Sequence, residues 1–143
     1  MFVILQYINL VVHMKDLREH LEFNLSDERM IMEMASIGDI DSKLTIIIRM
    51  NDPGNIPHFH IVDKTTLGSK FHTCINIETA EYFHHTGKED TLNSKQRKLL
   101  VNYLSSTNRR GDLNWEYLVT TWNYNNSSVL VDENIPMPDY TTL

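Results

Sequence analysis

Two histidines separated by one residue, in Pro57-His58-Phe59-His60, are the part of this sequence best suited to chemistry. On a β-strand, side chains two apart share a face with Cα atoms roughly 6.7 Å apart, so His58 and His60 can address one ligand. His72 and Cys74 repeat that spacing in the next β-rich run, 70–77. If the two runs form a hairpin whose loop centres on Thr66, His60 stands opposite His72 and His58 opposite Cys74. All four then share one face, while Phe59, Ile61, Phe71, Ile75 and Ile77 form an apolar face on the other side. A one-residue slip would mix the two sets, so the apolar pattern supports the pairing of faces.

Three kinds of chemistry fit such a face. His58, His60, His72 and Cys74 are the donor types that zinc or a similar divalent metal prefers, which makes them a candidate metal site and zinc the implied cofactor. Alternatively, one histidine acts as base and another as acid near neutral pH. The third reading is a half-exposed polar face in which each histidine hydrogen-bonds locally. His84 and His85 follow at the end of the sheet. Neighbouring strand residues point apart, so at most one of them could join the cluster, and a surface loop suits them better. Cys74 alone is a weak candidate nucleophile and reads more naturally as a small half-buried residue. Lys95, Arg97, Lys98, Arg109 and Arg110 form a basic cluster around the first long helix, able to meet phosphates or an acidic partner, or to be a solvated helix face. Trp115 and Trp122, seven apart, read as core. No Walker loop, dinucleotide-binding glycine pattern, Gly-x-Ser-x-Gly elbow or paired-cysteine zinc signature occurs.

The elements that position these residues follow from period and punctuation. Residues 1–12 are apolar and read as a leading strand within 1–13, and 15–23 as a short amphipathic helix with Leu17 and Leu21 on one side. Segment 29–37 fits a strand better than a helix, because a turn at 38–41 and the β-rich run 44–50 follow it. Asn51-Asp52-Pro53-Gly54-Asn55 is a strong turn signal. The strands 57–62 and 70–77 complete a meander around a loop at 64–68. Asn93 and Gln96 are spaced as a capping box before a helix carrying Leu99, Leu100, Tyr103 and Leu104. Arg109-Arg110-Gly111 separates it from a last helix at about 113–123, and 131–143, with two prolines, reads as an extended or partly ordered surface tail. The expected fold is α+β: a curved antiparallel sheet of about four strands packed on two C-terminal helices, with a short N-terminal helix, in a single domain spanning 1–143. The expected core includes Leu44, Ile46, Ile48, Phe59, Ile61, Phe71, Ile75, Leu100, Leu104, Trp115, Leu118 and Trp122.

Composition bounds the function. The chain has 143 residues, 41% apolar and 22% charged, which suits one globular core. A net charge of −6 disfavours a uniformly basic nucleic-acid binder. The lone cysteine rules out an intrachain disulfide, so a reducing, cytoplasmic setting is expected. The apolar start is shorter than a membrane span and lacks the marks of a signal peptide, so no membrane is expected; Met14 is an alternative start to Met1.

The order Ile47-Ile48-Arg49-Met50, turn, Pro57-His58-Phe59-His60, strand, helix and Trp-containing helix resembles a family of small bacterial proteins of unknown function. Those proteins carry a Pro-Pro-His-Phe/Ile-His motif, some of them beside partner genes in toxin–antitoxin-like or mobile-element settings. The resemblance spans roughly 44–125 and carries over only His58 and His60; Asn55-Ile56 departs from it, and His72 and Cys74 lie outside its motif. That setting, together with the absence of a recognised catalytic motif, favours a non-enzymatic binding module with a protein or nucleic-acid partner. The alternative from the residues themselves is a histidine-based hydrolase or nuclease, with or without a metal.

Overall fold

The computed structural model describes residues 34–50, 55–84 and 87–143. The leading strand, the N-terminal helix and most of the 51–55 turn lie outside them, as does His85. Residues 34–143 form one compact unit. Its sheet is a four-stranded antiparallel meander in the order β1 (Met34–Asp39), β2 (Leu44–Arg49), β3 (His58–Asp63), β4 (His72–Asn76). Two helices follow, α1 (Ser94–Leu104) and α2 (Asn114–Asn125), and a 3-10 turn at Tyr140–Thr142 ends the chain. The α+β class and the four-strand, two-helix plan are those expected from the sequence.

The register of β3 against β4 differs from the sequence expectation by two residues. His60 pairs with Cys74, His58 with Asn76 and Val62 with His72. The loop therefore centres on Leu67 rather than Thr66. Two residues is an even shift, so each side chain keeps its face and only its partner changes. The cause is the carboxylate of Asp63. It accepts hydrogen bonds from the Thr65 and Thr66 hydroxyls and from the amides of Thr66, Gly68, Lys70 and Phe71. These bonds gather a loop longer than a tight turn around one side chain, with Leu67 held at φ 55°.

The helices form where the sequence signals them. Asn93 and Gln96 complete a reciprocal capping box: the Gln96 amide donates to Asn93 Oδ1 at 2.8 Å, and the Asn93 amide to Gln96 Oε1 at 2.9 Å. Helix α2 packs against β1 and β2, and α1 against α2 and the terminal 3-10 turn. The main core joins Leu44, Ile46, Ile48, Phe59, Ile61 and Ile75 of the sheet to Leu100, Leu104, Trp115, Leu118 and Trp122 of the helices. Phe71, expected inside, is only partly buried at the rim. At the outer strand, the Tyr103 hydroxyl donates to Ile37 O at 3.0 Å beside a register shift between Ser36 and Gly38. A Cβ at position 38 would run into that hydroxyl, so the close approach requires glycine.

The C-terminal stretch is tied to the helices. The Trp122 indole donates to Val129 O (2.7 Å) and the Trp115 indole to Ile135 O (3.1 Å). Asn123 exchanges two bonds with Val131, and buried Tyr140 donates to Ile77 O at 2.9 Å.

Candidate metal centre

The histidine face of the sheet is buried, not half exposed. His58 is 0% exposed, His60 2% and Cys74 0%, while His72 is partly exposed. Backbone geometry explains why His60 meets Cys74. The Asp63 amide donates to Phe71 O and the Ile77 amide to Pro57 O. Hydrogen-bonded pairs alternate along an antiparallel ladder, which makes His60–Cys74 a non-hydrogen-bonded pair with Cα atoms about 4.5 Å apart, the closest side-chain approach a sheet offers. His72 precedes Cys74 by two residues and lies diagonally across from His60 on the same face. The His72 backbone is fixed in turn by Asp90, whose amide donates to His72 O and whose carboxylate accepts from the His72 amide.

The outcome is a triangle of donor atoms. His60 Nδ1 lies 2.8 Å from His72 Nε2, Cys74 Sγ lies 3.2 Å from His60 Nδ1, and Cys74 Sγ lies 3.4 Å from His72 Nε2. The two imidazole planes are 9° from parallel. His60 Nδ1, His72 Nε2 and Cys74 Sγ are the atoms that would hold such an ion, and imidazole nitrogen and thiolate sulfur are ligand types that zinc accepts. His60, His72 and Cys74 are thus close enough together to bind one metal ion.

His58 is not one of the three donors, although its ring meets that of His60 edge-on with centroids 5.0 Å apart. Its ring packs against Phe83 (centroids 4.7 Å apart) and Trp122 (5.5 Å), and its Nδ1 lies 2.7 Å from Ile56 O. A carbonyl only accepts, so Nδ1 carries the proton and donates. The ring serves as a packed, hydrogen-bonded core residue.

The basic cluster is dispersed. Arg97 is half-buried and its guanidinium donates to Leu92 O at 2.9 Å. Lys95 and Lys98 are exposed on α1, whereas Arg109 and Arg110 are exposed in the turn beyond the helix's far end, about 15 Å of helix from Lys95. His84 is exposed, 3.6 Å from the Glu89 carboxylate.

One electrostatic feature of the same hairpin was missed by the sequence reading. Burial pushes the Asp63 carboxyl upward, but hydrogen bonds from the Thr66 hydroxyl and amide, the Gly68 amide and the Thr65 hydroxyl outweigh it and hold it well below the ordinary carboxylate range. The signal was Asp63-Lys64-Thr65-Thr66, an aspartate followed by hydroxyls able to cap it. Among the described residues, no helix is long and apolar enough to cross a membrane. No family model, no curated protein and no solved structure matches the chain.

Proposed function

We propose that this protein is a non-enzymatic binding module built around a metal centre, in which His60, His72 and Cys74 hold one ion of the class that imidazole and thiolate select, zinc among them. The convergence of two imidazole nitrogens and one sulfur within 3.4 Å of one another carries the reading. Burial of His60 and Cys74 supports a structural role over hydrolysis, since a hydrolytic metal needs a position open to water and substrate. A cleft of about 510 Å³ against α2, lined by residues including Ala35, Met50, Tyr117 and Tyr124, contains none of the three donors. All three donors come from β3 and β4, so an ion would clamp the hairpin that ends the sheet. The partner in this proposal is a protein or nucleic acid of a toxin–antitoxin-like or mobile-element system, with Lys95, Arg109 and Arg110 as the exposed cationic positions.

The test is the metal content of reduced, purified protein by mass spectrometry, with thermal unfolding before and after metal addition. One ion per chain is expected, lost in Cys74→Ser and His60→Ala, and at a hundredfold excess over Kd the ion adds about 2.7 kcal/mol to stability. Metal-free protein whose melting temperature ignores added zinc and copper would overturn the reading.

A further inference from the structure

We infer that Asp90 is a positioning residue of the metal centre, one that holds the donor His72 in place through its backbone. This rests on the metal reading above and adds a residue to it. Asp90 is not one of the three donors, and it follows His72 by 18 residues. Its role comes from the way the sheet ends.

His72 pairs with Val62 and is the first residue of β4. Like His60–Cys74, this pair falls between the hydrogen-bonded pairs of the ladder, since the Asp63 amide donates to Phe71 O one residue away. The amide and carbonyl of a β4 residue in such a pair point away from β3, toward the outer edge. β3 therefore sets how close the side chains come but does not hold these groups. Residues beyond the strand do. The Phe83 amide donates to Cys74 O at 2.9 Å, and the Asn76 amide donates to Glu81 O at 2.7 Å. At His72, Asp90 takes both groups: its amide donates to His72 O at 2.7 Å, and its carboxylate Oδ2 accepts from the His72 amide at 3.0 Å. Two bonds to one residue fix its backbone and so the direction of its Cα–Cβ bond. That matters most at His72, which stands at a strand end, where fraying starts, and is the least buried of the three donors. Partners that orient a ligand without touching the metal commonly contribute about 10–100-fold to its affinity. By linkage, a clasp that favours the ion is favoured by the ion to the same degree.

The experiment uses the full chain, reduced. Zn(II) is titrated against a chromogenic zinc chelator, and amide hydrogen exchange is followed by NMR before and after zinc. Asp90→Ala removes the acceptor and should weaken zinc about tenfold, with the stoichiometry unchanged. Asp90→Asn keeps a side-chain oxygen and should recover most of that loss. Asn93→Ala, which loosens the start of α1, should bind zinc as the parent does, so a general loss of stability is told apart from a loss at His72. In the parent, zinc should slow exchange of the His72 amide by roughly the factor that the clasp adds to zinc affinity, about tenfold. If Asp90→Ala holds zinc as tightly as the parent, or if Asp90→Asn is as weak as Asp90→Ala, the Asp90 assignment falls and the metal centre stands. If the parent holds no zinc, the assignment falls and the metal reading is left to the copper arm of its own test. The exchange measurement on the unmutated chain decides the case where Asp90→Ala fails to fold: a His72 amide that zinc leaves unchanged overturns the assignment.

Discussion

His58 and His60 sit two residues apart on one strand face, yet their surroundings give them different work. The two rings meet edge-on, but His60 also meets a thiol and the His72 imidazole, whereas His58 meets two aromatic rings and a carbonyl. The two single alanine variants therefore separate. His58→Ala opens a cavity beside Trp122 and strands the Ile56 carbonyl, and should cost about 2–4 kcal/mol in urea denaturation; its ring also packs edge-on against His60 but supplies no donor, so metal binding should weaken less than in His60→Ala. On the half-exposed polar face read from the sequence that loss of stability would have been small; the burial of His58 makes it large. A second residue-scale prediction concerns Thr73, fully buried opposite Ile61, whose hydroxyl has no hydrogen-bond partner among the described residues. Thr73→Val keeps the shape and removes the orphaned group, and should raise stability by about 1 kcal/mol. A loss of stability in that variant would mean that the hydroxyl is satisfied in solution.

At the scale of elements, the β3–β4 hairpin depends on a single carboxylate. Asp63 organises the loop that sets the register, and the register brings Cys74 opposite His60. Its folded-state pKa is depressed below the ordinary 3.8, so its contribution is fully present above that value and is lost as pH falls from there toward the folded value. Acid denaturation should show this as stability falling below about pH 4. Asp63→Asn should be less stable at neutral pH and flatter across the acid range. An unchanged acid profile would show that the loop does not rely on the charge. The capping box of α1 offers an independent check. Asn93→Ala frees the Gln96 amide and should cost about 1 kcal/mol in thermal unfolding without touching metal content.

At the scale of the described unit, the C-terminal stretch completes the core. Both tryptophans direct their indole N–H groups to its carbonyls, and Tyr140 reaches the sheet at Ile77. Burial pushes the Tyr140 hydroxyl far above its usual pKa, so it remains a neutral donor at any working pH. Tyr140→Phe leaves Ile77 O without this bond and should cost about 1 kcal/mol. Removing residues 138–143 uncovers Phe59, whose ring meets Tyr140 edge-on at 5.7 Å, and should lower the melting temperature well beyond the effect of the hydroxyl alone. Partner binding belongs to this scale too. If the partner is a nucleic acid, affinity should fall steeply with salt, and Arg109→Glu with Arg110→Glu should lessen the slope. Binding that ignores salt would leave a protein partner.

The sequence by itself determined the class of fold, because its signals are local. Alternation marked the strands, Asn93 with Gln96 marked a helix start, and the spacing of Trp115, Leu118 and Trp122 marked the last buried face. It also determined which residues share a sheet face, since the period of two survives any even shift of register. What it could not supply was the partner of each residue across the hairpin. That depended on how Asp63 folds six donors from Thr65 to Phe71 around itself, a many-body hydrogen-bond arrangement with no fixed spacing rule. Nor could it say that the histidine face is buried, because an alternating pattern reports one apolar face and is silent on whether the other is covered. The change from a four-member set with His58 to the triangle of His60, His72 and Cys74 follows from those two facts. Register decides which atoms meet, and burial decides what surrounds them.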